Sequence, residues 1–139
     1  MNKLLGLATL IAILIVIILV VLVTQRPIQG NTLLYEKSES WGPCPPNGTC
    51  QQSTKLYYSG RLVVKGATEL QKQLTQQEIN DLIAKIKSTH IMRKECSAPI
   101  VLDYSATYRL NVSGKQKTIR FPGCKEELQE IEELIPDET

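Results

Sequence analysis

The stretch Val101–Phe121, VLDYSATYRLNVSGKQKTIRF, decides how the chain folds. Tyr104, Ala106, Tyr108, Leu110 and Val112 recur at every second position, with Thr107, Arg109 and Asn111 between them. A period of two puts the first set on one face of a strand and the second on the other. The turn Ser113–Gln116 then returns the chain into Lys117–Phe121, where Ile119 and Phe121 continue the apolar face. A hairpin with one packed and one wet face belongs to an antiparallel sheet.

Upstream of it, a helix is predicted over about Gln76–Thr89. Thr75 supplies an N-cap, Glu78 completes a capping box, and Leu74 is placed to staple onto Ile79. Ile79, Leu82, Ile83 and Ile86 form its packed face. Before the helix, Lys55–Tyr58 and Arg61–Lys65 flank Ser59-Gly60 as a first hairpin, and Thr32–Ser40 reads as a strand. After the long hairpin, Pro122-Gly123 breaks the sheet and Lys125–Ile135 forms a second helix, with Leu128, Ile131, Leu134 and Ile135 as its stripe and Pro136 as its stop. Glu126 and Glu127 suit the positive end of its dipole. The order β-β-β-α-β-β-α predicts an α+β domain, an antiparallel sheet of about five strands with helices on one face, over 32–136.

The N-terminal part has a different character. Leu4–Val23 is twenty residues without a charge, the length a helix needs to cross a bilayer, and it lacks the small-residue cleavage site of a secretory signal. The expectation is a single transmembrane signal-anchor helix over 1–25, in contact with membrane lipid through 4–23, followed by a short linker over 26–31. Lys3 and the terminal amine place the N-terminus inside, and the large domain crosses to the extracytoplasmic side.

The four cysteines agree with an oxidising compartment. Four cysteines allow three pairings. Cys44 and Cys50 close a loop already bent by prolines and Asn47-Gly48, and Cys96 and Cys124 lie at the two ends of the long hairpin, which favours Cys44–Cys50 with Cys96–Cys124. Their spacings, C-x5-C and C-x27-C, match neither a zinc site nor a dithiol motif. No metal and no cofactor is predicted.

Catalytic constellations are absent from the sequence. His90 is the only histidine and lies just beyond a helix C-terminus, where it complements the dipole. Asp103, Ser105 and Ser113 form no nucleophile elbow or triad, and no phosphate loop follows a strand. No dense basic patch with interleaved aromatics points to nucleic acid, and no small-molecule substrate is indicated. Acids concentrate after Cys124, whereas the body before it holds about twice as many Lys and Arg as Asp and Glu. Such a bipolar domain favours an oriented partner. Asn47 and Asn111 stand in glycosylation sequons, and Trp41 with Tyr57 and Tyr58 is a candidate aromatic binding tip.

The succession GPCPP, LYYSGRLVVKG, LTQQEINDLIAKI, DYSATYRLNVSGKQKTIRFPGC and LQEIEELI resembles an uncharacterised domain of exported bacterial proteins and lipoproteins, over roughly Leu33–Ile135. The resemblance implies an extracytoplasmic β-β-β-α-β-β-α unit and no reaction. The chain departs from it in carrying an anchor, extra cysteines and a lengthened loop between Pro45 and Lys55. The expected function is a membrane-anchored binding or interaction module without catalysis, with another envelope protein as its expected partner. The competing readings are a thiol-exchange or hydrolytic enzyme using Cys124 or His90, and a pilin-like subunit. The last is weakened because Gly6 is followed by no acid before Glu36.

Overall fold

The computed structural model describes residues 31–46, 48–100 and 103–136. The elements run β1 (Leu33–Trp41), β2 (Gln51–Tyr57), β3 (Arg61–Lys65), β4 (Glu69–Gln73), α1 (Gln76–Ser88), β5 (Tyr104–Val112), β6 (Lys115–Arg120) and α2 (Lys125–Glu132). The strands form one sheet in the order β4-β3-β2-β1-β5-β6, with every neighbouring pair antiparallel. The first four strands make a meander outward from β1. The chain then recrosses the sheet through α1 and continues on the other side of β1.

One part of the expected architecture is corrected, and a second falls outside the described residues. The described residues form six strands, not about five, because Glu69–Gln73 pairs with β3 as an edge strand. Its sequence, ELQKQ, has no apolar alternation and all five residues are exposed, so backbone pairing holds it where side-chain burial does not. Polar, charged edges also discourage pairing with other chains. The second part is the transmembrane helix over 1–25: among the described residues no helix is long and apolar enough to cross a membrane. The run 4–23 lies outside the described residues.

The core lies between the sheet and the two helices. Leu56, Leu62, Tyr108, Leu110 and Ile119 come from the sheet, Ile79, Leu82 and Ile86 from α1, and Leu128 and Ile131 from α2. A register shift between Leu33 and Tyr35 makes Leu34 an extra residue opposite β2, so that Leu34 and Tyr35 are both buried. That bulge is how one strand places consecutive residues in the same core.

Local chemistry explains the connections. Ser113 and Gly114 both have positive φ (54° and 73°), the geometry of a two-residue type I′ turn. The turn is therefore shorter than expected, and β6 begins at Lys115. Between β2 and β3, Gly60 has φ 85°, and a Cβ there would meet the Leu74 carbonyl oxygen at 2.3 Å. Only glycine fits this point, where the hairpin touches the start of α1.

The α1 N-terminus is as its sequence predicts. The Thr75 backbone N–H donates to Glu78 Oε2 at 2.6 Å, and the Glu78 N–H donates to Thr75 Oγ1 at 3.3 Å. Leu74 and Ile79, the staple pair, are both buried. Thr75→Ala removes the cap acceptor and should destabilise the domain by about 1 kcal/mol, read as a lower urea midpoint at unchanged slope.

Candidate functional site

Both helices lie on one side of the sheet, and the other side is open. Antiparallel partners share a face, so the register assigns its side chains directly. Glu36, Ser38 and Ser40 come from β1, Gln51, Ser53 and Lys55 from β2, and Ser105, Thr107 and Arg109 from β5. A concavity of about 570 Å³ lies on this face, lined by hydroxyls of Ser38, Ser40, Ser53 and Thr107, by the Gln51 amide, and by two charged residues, Lys65 and Glu39. Ser40 Oγ and Ser105 Oγ are 2.7 Å apart and share a hydrogen bond.

One row across the open face is notable for its composition. Lys65 pairs with Ser53, Ser53 with Ser38, Ser38 with Thr107, and Thr107 with Arg120. Three hydroxyls thus lie in register between two cations. In the adjoining row Glu36 is 7% exposed and sits between Lys55, at 3.3 Å, and Arg109, at 3.2 Å. A carboxylate this buried needs such partners. Arg61 stacks over the Tyr57 ring at 4.3 Å, near the end of the face where β1 begins.

The helix-side face holds a different cluster beneath the end of α2. Lys37 Nζ lies 2.9 Å from Glu132 Oε1 and 3.1 Å from Glu39 Oε2. The Tyr104 hydroxyl donates to Glu39 Oε2 at 2.7 Å and the Tyr35 hydroxyl to Glu132 Oε1 at 3.3 Å. Tyr108 meets the Tyr35 ring edge-on, with centroids 6.4 Å apart. Burial, joined by the Glu132 charge, raises the Tyr35 and Tyr108 phenols well above their usual range. Burial and the bond to Glu39 push Tyr104 up to about 12. Burial works against the Lys37 ammonium, but its bonds to Glu132 and Glu39 outweigh this and hold it above the ordinary lysine value. The three phenols and the Lys37 ammonium are each driven further from pH 7, whereas a proton-transfer catalyst needs a pKa brought toward it. The cluster is a latch that fastens α2 to β1.

The residues singled out in the sequence are dispersed. Cys44–Cys50 and Cys96–Cys124 are both disulfides, and no cysteine is free. Trp41, 41% exposed, ends β1 beside the first disulfide. Tyr57 and Tyr58 are at the opposite end of the sheet, since Ser40 pairs with Gln51 and Leu33 with Tyr57. The Tyr58 hydroxyl donates to the Asn111 carbonyl at 2.7 Å. The three aromatics therefore do not meet in one tip. Asn111 is half-buried near the end of β5, and Asn47 lies outside the described residues.

His90 has φ 55° immediately after the α1 C-cap, Thr89, and its side chain is exposed. It takes the left-handed position that often ends a helix. Asp103, also at positive φ, accepts the Gly42 N–H on its carbonyl at 2.9 Å, and Ser113 forms the β5–β6 turn. Ser105 alone among the former catalytic candidates lines the trough. Sequence reading passed over Ser38, Ser53, Lys37 and Glu132. The available signal was β1 itself, which is polar on both faces from Glu36 to Ser40 yet runs through the middle of the sheet.

No family model matches the chain, and no curated protein is found similar to it. The resemblance in the sequence accordingly carries no activity into this site.

Proposed function

We propose that the protein is an extracytoplasmic binding module, tethered to membrane lipid through residues 4–23, which engages another envelope component across the open face of its sheet and performs no reaction. The observation that carries this reading is the hydroxyl- and amide-lined trough on that face. It offers many hydrogen-bonding groups and no group poised for proton or electron transfer. The two disulfides support the oxidising compartment. The acids of α2, Glu126, Glu127 and Glu130, belong to the helix side, so the charge asymmetry of the sequence becomes a difference between two faces. Such a difference orients a partner.

The thiol-exchange alternative requires a free or readily freed thiol, and all four cysteines are paired. The hydrolase alternative requires His90 to face a nucleophile, and its position at the exposed end of α1 favours a capping role instead.

A photo-crosslinking side chain at Ser53 tests the reading, in the full chain in native membranes, with the same group at Gln77 on the exposed side of α1 as control. Discrete adducts at Ser53 and not at Gln77 are expected. No adduct at Ser53, or equal labelling at both positions, overturns the reading.

A further inference from the structure

The row Lys65–Ser53–Ser38–Thr107–Arg120 spans five adjacent strands, β3, β2, β1, β5 and β6. With strands spaced about 4.8 Å apart, its two cations stand roughly 19 Å from each other. A small anion reaches one of them and never both. The hydroxyls between them provide donors and acceptors with no intervening charge.

The rest of the open face adds to this polarity. Lys55, Arg61 and Arg109 join Lys65 and Arg120, against the two carboxylates of Glu36 and Glu69. Glu36 is already held by both Lys55 and Arg109, so that trio keeps a net positive charge. Lys65 pairs with Glu69, its register partner on β4, at 3.6 Å, but both side chains of that pair are exposed, which leaves the ammonium open to a second anion. The face is cationic, polar and long, while its concavity contains no aromatic platform among its lining residues.

We infer that this face binds a linear polyanion whose repeating units also carry hydroxyl groups, laid across the strands along the Lys65–Arg120 row. Carboxylated and phosphorylated sugar or polyol chains share that chemistry. The inference rests on the open face being the binding surface and adds what occupies it. Lys65, one strand in from the Glu69 edge, and Arg120 at the other edge set the ligand's length and charge, and Ser53, Ser38 and Thr107 hydrogen-bond to the units between them.

The test uses the full chain in detergent and measures retention on immobilised polygalacturonate and poly(glycerol phosphate), with neutral dextran, inorganic polyphosphate and phosphatidylglycerol vesicles as comparators. Retention on either or both of the first two, exceeding that on all three comparators and falling with salt, is expected, and which of the two is preferred identifies the anionic group. K65Q/R120Q should weaken it by about twenty-five-fold, since each cation near a polyanion contributes on the order of fivefold, and should flatten the salt dependence. S38A/S53A should weaken it severalfold with the salt dependence unchanged. Equal retention on dextran, or equal retention on polyphosphate, overturns the inference, as do binding to vesicles alone and no binding at all. Protein adducts at crosslinker-bearing Ser53 without polymer retention overturn the polymer and leave the binding module standing, whereas absence of any adduct removes both.

Discussion

Replacing Cys96 and Cys124 together by serine should destabilise the domain by about 3.5 kcal/mol, the larger of the two disulfide effects. The bond joins residues 28 apart in sequence, and the chain-entropy relation gives about 3.5 kcal/mol for a loop of that size against about 2.4 for the short one. Cys44–Cys50 has a separation of only 6. The native contacts around the longer bond should survive its removal, because none of them runs through it. Ile91 is buried, Lys117 Nζ donates to the Ile91 carbonyl at 2.6 Å and also to that of Lys94, and Lys94 pairs with Glu127. These contacts dock the irregular segment between α1 and β5 against β6 and α2, with or without the covalent link.

Gly123 shows how close that docking is. A Cβ at this buried position would meet the Cys96 carbonyl oxygen at 2.7 Å and that of Arg120 at 2.9 Å. The effect of the double serine variant therefore resides mainly in the unfolded chain, which gains the freedom the bond had removed. Urea unfolding under oxidising conditions checks this, with the Cys44/Cys50 double serine variant alongside. An equal or greater loss in the second variant contradicts the ranking by loop length.

The same distinction between local and distant causes explains what the sequence discloses. The α1 cap was legible because Thr75 and Glu78 are three residues apart and complete their hydrogen bonds without help from the fold. The β5 face was legible because each alternate residue meets the core. The disulfide pairing followed from a short loop and from hairpin geometry. β4 was not legible, since its stability comes from pairing with Arg61–Lys65 and its side chains record no burial. Nor does anything in LLYEK announce that Leu34 is an extra residue. The trough depends on the register of five strands at once, which brings Lys65 and Arg120 into one row from positions 55 residues apart in the sequence. The latch joins Lys37 to Glu132 across nearly the entire domain. Polar residues in a strand read as surface until the element that covers them is known.

The latch gives the second large effect, a steep loss of stability at alkaline pH. Tyr35, Tyr104 and Tyr108 all have folded-state pKa values above the ordinary phenol value near 10, burial being the first cause in each and the neighbouring carboxylates reinforcing it. A raised folded pKa stabilises fully below the unfolded value, and that contribution is lost as pH rises through the folded value. Here the unfolded chain releases phenolic protons from about pH 10, while the folded chain keeps them. Lys37 acts in the same direction, because Glu132 and Glu39 favour its ammonium in the folded state. Each proton lost only on unfolding contributes about 1.4 kcal/mol per pH unit. Counting only the two most enclosed phenols, Tyr35 and Tyr108, stability should fall by about 2 to 3 kcal/mol over one pH unit above about pH 10.5. Tyr108→Phe should keep the ring packing against Tyr35 and remove its share of that slope. Urea unfolding at successive alkaline pH values measures the slope, and phenolate absorbance follows ionisation directly. A Tyr108→Phe protein with the unchanged slope, or all five tyrosines ionising together in the folded protein at the ordinary tyrosine pKa, shows that the carboxylates and burial around Lys37 do not hold these protons. If the slope falls as expected, α2 is fastened to the sheet by phenols and an ammonium whose protonation is locked throughout the neutral range.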